Sequence, residues 1–267
     1  MPSYTRSRLI TVAFCAALTC VPFAAFGTVK TPARSAHPVA VVTGASRGIG
    51  LAIARSLGKM GAKLGVCSRD SHKLSVATSE LRGLAPAVLE VPFDITQAAP
   101  ISSFVQVVIK NLGPIDILVT NAGVGWFGPA QDASEDNWDT VLDTNLKSVF
   151  LMSKAVAPGM IERKTGHIIN IASLAGKNTF KNGGVYRASK WGLMGLTGCM
   201  AEDLRQYGIR VSAVCPGTVD TEFSPHTGKD PAKLLQSEDI AHAVAMLVTQ
   251  APQSFISEVL IRPTAKP

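Results

Sequence analysis

The sequence predicts an α/β protein with a single doubly wound parallel sheet of about seven strands flanked by helices, and three observations predict it. Short apolar runs alternate with helix-length stretches all the way from Val39 to Ile261. Some of those runs, Ile115–Thr120 and Gly166–Ala172 above all, are apolar almost throughout, as strands covered on both faces are. The first run passes without a linker into a glycine-rich turn that opens a helix, the arrangement of a Rossmann-type sheet.

Taken in order, Val39–Thr43 reads as the first strand and Ile49–Met60 as a helix closed by Gly61. Lys63–Cys67 is the second strand, Ser71–Arg82 a helix, and Ala87–Val91 a third strand ending near Asp94. A helix over Ile101–Leu112 stops at Gly113-Pro114, where the strand Ile115–Thr120 begins. A loop rich in glycine and aromatic residues, Gly123–Pro129, leads to one or two helices between Asn137 and Arg163. After the strand Gly166–Ala172 come a long helix from Val185 to Tyr207, a strand Ile209–Cys215, a helix Glu238–Thr249 and a last strand Glu258–Ile261. No internal repeat interrupts this series, so one domain over 38–263 is expected, with 264–267 as a tail.

The 267 residues suffice for one large core, and 46% hydrophobic against 17% charged residues fits a buried sheet. The net charge of +7 invites a nucleic-acid reading, but its distribution opposes one. Residues 1–69 hold nine Lys/Arg and no acid, and the rest of the chain holds 17 basic against 19 acidic residues. No basic run interleaved with aromatics tracks a phosphate backbone, so no nucleic-acid partner is expected. Of five cysteines, Cys15 and Cys20 precede the domain, while Cys67, Cys199 and Cys215 have no metal-ligand or disulfide spacing. The five histidines are equally scattered, and no metal site is expected.

Residues 1–37 read as a leader, an anchor or an extension outside the core. Leu9–Gly27 is uncharged and follows Arg6 and Arg8, and Ala25-Phe26-Gly27 resembles a signal cleavage site. The run is also long enough to span a bilayer, so any membrane contact is assigned to residues 9–27. A transit peptide or a true start near Val29 are the other readings. A glycine-rich turn of Rossmann type suits a domain that draws on a cytoplasmic nucleotide pool, which weighs against export and favours a cytoplasmic domain.

Two motifs carry chemistry. In Thr43-Gly44-Ala45-Ser46-Arg47-Gly48-Ile49-Gly50, glycines let the backbone approach a pyrophosphate and the helix start offers free N–H groups. The same letters fit the G-x-S-x-G elbow of hydrolases, but that elbow needs an oxyanion-hole loop before it, and none precedes this first strand. After the second strand stands Ser68-Arg69 where an NAD enzyme has an acid for the ribose 2′-OH. Arg47 and Arg69 without that acid favour NADP(H) over NAD(H), although exposed arginines are common on any surface. The second motif is Tyr186-Arg187-Ala188-Ser189-Lys190, which puts a phenol and an ammonium on one helix face. Such pairs arise by chance, yet a cation beside a phenol lowers its pKa and equips it for acid–base work. Trp126, Phe127 and Trp191 are candidates to line a substrate pocket, or equally to fill the core.

Across residues 38–263 the chain resembles the short-chain dehydrogenase/reductase family. The glycine turn matches the family's cofactor loop, and Asp94 its adenine-contacting aspartate. Thr120-Asn121-Ala122-Gly123 matches its Asn-Asn-Ala-Gly motif with Thr in first place, and Pro216-Gly217-Thr218-Val219 the loop beside the nicotinamide. Asn145, Ser173, Tyr186 and Lys190 match its catalytic tetrad. The resemblance implies hydride exchange between NADP(H) and a small carbonyl or secondary alcohol, in which Tyr186 moves the proton. Lys190 lowers the Tyr186 pKa and holds the ribose, Ser173 bonds the substrate oxygen, and Asn145 positions a relay water. By itself, Ser173 would read as a loop serine and Asn145 as a helix cap. The resemblance also implies a homodimer or homotetramer. The end Glu258-Val259-Leu260-Ile261-Arg262-Pro263 lacks the glycine-rich segment of members acting on acyl-carrier-protein thioesters. A carbonyl reductase is therefore preferred, with a 3-oxoacyl-carrier-protein reductase and a non-catalytic dinucleotide-binding scaffold as alternatives.

Overall fold

Seven strands, β1 (Val39–Thr43), β2 (Lys63–Ser68), β3 (Val88–Pro92), β4 (Ile115–Thr120), β5 (Gly166–Ile171), β6 (Ile209–Pro216) and β7 (Glu258–Ile261), form one sheet. They lie in the order β3-β2-β1-β4-β5-β6-β7, and every neighbouring pair is parallel. The structure is a computed structural model; the residues described are 37–223 and 230–265, so all of the leader expected over 1–37 except His37 lies outside them. The helices are α1 (Gly48–Lys59), α2 (Ser71–Leu81), α3 (Ala98–Leu112), α4 (Glu135–Leu142), α5 (Ser148–Arg163), α6 (Gly184–Arg205) and α7 (Ser237–Thr249).

The near-continuous apolar strands are buried on both faces, as their sequence requires. Ala40 and Val42 of β1 pack with α1, α2 and α7, while the alternate residues Val39 and Val41 pack with α3, α5 and α6. Caps fix several helix starts: Asp70 accepts from the Lys73 amide and Ser134 from the Asn137 amide. Gln236 and Asp239 form a capping box on α7.

Three expectations shift. The helix expected from Ile101 begins at Ala98, because Pro100 falls in its first turn, where a missing N–H is harmless. The stretch after Asn137 holds two helices joined by a π-helical turn, Asp143–Lys147. His37, assigned to the leader, touches the domain through Nδ1 and the Gly61 carbonyl at 3.0 Å.

The strand order reverses direction between β1 and β4, each of which sends its chain to opposite sides of the sheet. Ligands of open α/β sheets bind in the crevice outside the strand ends at this point. The architecture thus places a crevice where the glycine turn after β1 meets Asn121-Ala122-Gly123 after β4.

Candidate active site

A cleft of about 1880 Å³ opens at those strand ends. Every residue expected to act in catalysis or to hold the cofactor lines it except Gly50 and Asn145. Thr264 and Ala265, expected as tail, also form part of its wall.

The glycine turn is built by close packing. Gly44 has φ +67° and donates its amide to the Cys67 carbonyl at 2.8 Å. Asn121 Nδ2 reaches the carbonyls of Thr43 and Gly44 at 3.1 and 3.2 Å, and Thr43 Oγ1 accepts from the amides of Asn121 and Ala122. A Cβ on Gly50 would lie 2.5 Å from Asn121 Nδ2. Gly50 is buried in the turn, where its missing side chain lets α1 close on the Gly44 carbonyl, 2.3 Å from where a Cβ would sit, and on the Asn121 amide.

At one end of the cleft stand the basic groups. The Thr96 amide holds the Asp94 carboxyl below its ordinary range; burial opposes this, and the Thr96 hydroxyl and the nearby Arg69 add to it. Arg47 forms an ion pair with Glu222, which lies in the loop after β6.

At the other end, Ser173 caps the short turn Leu174–Gly176, its Oγ accepting from the Ala175 amide at 3.0 Å. Its hydroxyl also hydrogen-bonds the Tyr186 side chain. Lys190 donates Nζ to the Ile171 carbonyl at 3.0 Å, and that nitrogen lies 5.9 Å from the Tyr186 ring centre. Burial pushes the Tyr186 phenol up to about 12, with the Ser173 bond pulling the other way. Burial pulls the Lys190 ammonium down to about 8, opposed by charge interaction with Cys215. The expected lowering of the tyrosine pKa by Lys190 is therefore outweighed: desolvation dominates, and the ammonium is tied to a backbone carbonyl.

Asn145 is fully buried in the π turn. Its Oδ1 accepts from the Val124 amide at 2.8 Å, and its Nδ2 donates to the Val124 carbonyl and to Ser189 Oγ at 2.8 and 3.0 Å. Ser189 in turn donates to the Tyr186 carbonyl at 2.7 Å. The asparagine side chain thus couples the loop after β4 to the helix carrying Tyr186, and it stays off the cleft surface. Beneath this level, Thr120 donates to Asn170, and Asn170 to Thr197, a buried chain tying β4, β5 and α6 together.

Of the aromatic candidates, Phe127 lines the cleft, whereas Trp126 and Trp191 do not. Phe180 and Phe223 line it too and were not singled out. Phe180 could have been found as the one aromatic in the polar loop between Ser173 and Tyr186.

A family model described as short chain dehydrogenase matches residues 38–232. The chain belongs to that family. Among relatives of this short chain dehydrogenase is a protein of Streptomyces violaceoruber provisionally named ketoacyl reductase 1 of the granaticin polyketide synthase. It is 43% identical over 208 residues, which is 77% of this chain and 76% of the relative. A solved metagenomic short-chain oxidoreductase in complex with NADP is 46% identical with a TM-score of 0.76, over 86% of this chain and 98% of that one. A variant of actinorhodin polyketide ketoreductase, solved with NADPH, is 34% identical with a TM-score of 0.80, over 85% and 96%. The dehydrogenase is thus an oxidoreductase of the Rossmann type. Among its described residues no helix is long and apolar enough to cross a membrane, and no group of three or more His, Cys, Asp and Glu could hold a metal ion.

Proposed function

We propose that the protein is an NADP(H)-dependent reductase of small-molecule carbonyls. The observation that carries this reading is the grouping of Ser173, Tyr186 and Lys190 at one end of a cleft whose other end is basic. The glycine turn fits a dinucleotide, since it opens α1 after β1 and lines the cleft with Gly44, Ser46 and Gly48, where little side chain stands between a pyrophosphate and the backbone. Arg47 and Arg69 would hold the 2′-phosphate, with Asp94 toward the adenine and Pro216-Gly217-Thr218-Val219 beside the nicotinamide. When bound, the dinucleotide supplies the hydride. Ser173 Oγ donates to the substrate oxygen as negative charge gathers there. Tyr186, protonated at neutral pH, donates its phenolic proton to the same oxygen. Lys190 stabilises the phenolate that remains, and the π turn around Asn145 positions the route by which the proton returns. A panel of ketones assayed with NADPH and NADH tests the reading, and no turnover with either cofactor sinks it.

At neutral pH the Tyr186 phenol is in its acid form, the form that reduction uses. Reduction also needs Lys190 charged. The rate of carbonyl reduction is expected to be level well below pH 8 and to fall as pH rises through about 8, where burial has brought the Lys190 ammonium. A log kcat/KM profile with NADPH checks this, and a profile still level at pH 10 contradicts it.

A second reading, reduction of a 3-oxoacyl thioester, draws on the names of the granaticin and actinorhodin relatives. Turnover of an acetoacetyl thioester in preference to simple ketones would select it. We propose self-association into a homodimer or homotetramer through α5 and α6, which expose Phe150 and Trp191. We further propose that the catalytic domain works in the cytoplasm and is independent of the leader. A chain starting at Ala36 keeps the Pro38 carbonyl that pairs with Lys63, and every cleft residue. It is expected to unfold cooperatively and to match the full chain in kcat/KM. Loss of either by the purified shorter chain contradicts the proposal.

A further inference from the structure

We infer that the substrate carries a planar, conjugated ring system next to its carbonyl, and that Phe127, Phe180 and Phe223 select it. This inference rests on the reductase reading above. Phe127 and Phe223 both pack against Tyr186, with ring centres 5.3 and 5.7 Å from that of the phenol and planes tilted by 51° and 54°. Both lie near Gly125, where a Cβ would be 2.6 Å from the Phe127 ring and 3.3 Å from the Phe223 ring. A side chain there would force Phe127 to shift, so the glycine keeps the two aromatics against the phenol.

Phe180 adds a third ring to the cleft wall. It is held from behind by Arg187, whose guanidinium carbon lies 4.7 Å from its ring centre. Arg187 is only 5% exposed, and its Nη1 and Nη2 have no hydrogen-bond partner among the described residues. A covered guanidinium without acceptors is costly, and the Phe180 π-face is the compensating contact the structure offers it. Arg187 is thus a positioning residue for the wall.

The three phenylalanines are 43%, 48% and 42% exposed, large apolar faces left to solvent in a cleft beside the reacting phenol. Side chains of this size are usually buried, and their clustering at one place marks a surface awaiting an apolar ligand. Tilted rings recognise another ring through offset or edge-to-face contact, a gain beyond apolar burial. A flexible alkyl chain would obtain the burial without that gain, and it would lose more rotational freedom.

Acetophenone and octan-2-one, each with eight carbons and a methyl ketone, separate the two cases. With NADPH, kcat/KM for acetophenone is expected to exceed that for octan-2-one by about ten-fold or more. Phe127→Leu and Phe223→Leu, which keep apolar bulk and lose the ring, should raise KM for acetophenone roughly five- to ten-fold and shift KM for octan-2-one far less. Arg187→Met should do the same through Phe180, with kcat little altered. NADPH binding followed by fluorescence verifies that each variant is folded. Equal efficiency on the two ketones, or equal KM changes in the leucine variants, overturns the ring selection and leaves the reductase reading intact. Failure to reduce any ketone would instead remove the reductase reading itself.

Discussion

Replacing Tyr186 with Phe is expected to lower carbonyl reduction by roughly 10²–10⁴-fold while NADPH binding stays near that of the parent, because the change removes a general acid and nothing else of the cleft. Phenylalanine retains the ring that packs against Phe127 and Phe223, so the aromatic surroundings persist. The glycine turn and the arginines lie at the opposite end of the cleft. Ser173 loses one hydrogen-bond partner but keeps the Ala175 amide, and Lys190 keeps the Ile171 carbonyl. The damage is therefore confined to proton transfer, and it should appear in kcat more than in the affinity for NADPH. Stopped-flow reduction and fluorescence titration measure the two separately. A Phe variant that reduces every substrate of the parent at a comparable rate would show that another group donates the proton.

The polarity of that proton transfer was not legible in the sequence. The Tyr186/Lys190 spacing implies a helix face that pairs phenol and ammonium, and a lowered tyrosine pKa with it. The spacing says nothing of how dry the face is. With Tyr186 8% and Lys190 5% exposed, desolvation acts against both charged forms and sets the direction of both shifts. The strands, by contrast, were readable nearly to the residue, because a parallel sheet covered on both faces writes itself as unbroken apolar runs. β1, β4 and β7 have the expected ends. Local signals also reached the glycine turn and its companions, since each motif follows directly on a strand.

Features that join distant segments were beyond that reading. Asn145 has the right spacing for its family role, but its bonds to Val124 and Ser189 depend on a π turn, which no pattern of polarity announces. Gly50 reads from the motif as a ligand-facing glycine, yet it is buried, and a Cβ there would meet the Gly44 carbonyl at 2.3 Å and Asn121 Nδ2 at 2.5 Å, the second of them on another strand end. Phe223 meets Tyr186 only once the loop after β6 folds over the cleft. Arg47 and Glu222 are 175 residues apart, and only the fold reveals that they compete for each other.

That competition bears on the second large effect. Substituting Ala at both Arg47 and Arg69 is expected to weaken NADPH binding by roughly 10²-fold or more and to change NADH binding by less than about three-fold. A charge-assisted hydrogen bond contributes about 1.5–3 kcal/mol, and only NADPH has the phosphate to receive it. Both arginines are solvent-exposed, so screening places each contribution toward the lower end of that range. Arg47 must also leave Glu222, an exposed pair worth about 0.2–1 kcal/mol, before it can turn to a phosphate. Arg69→Ala alone should therefore weaken NADPH more than Arg47→Ala alone. Glu222→Gln should strengthen NADPH binding slightly, by up to about five-fold, because it removes the competitor. Fluorescence titrations of both cofactors with the parent, the single variants and the double variant give these ratios directly. Equal losses for NADPH and NADH in the double variant, or a parent that binds NADH as tightly as NADPH, would show that these two guanidinium groups do not read the 2′-phosphate.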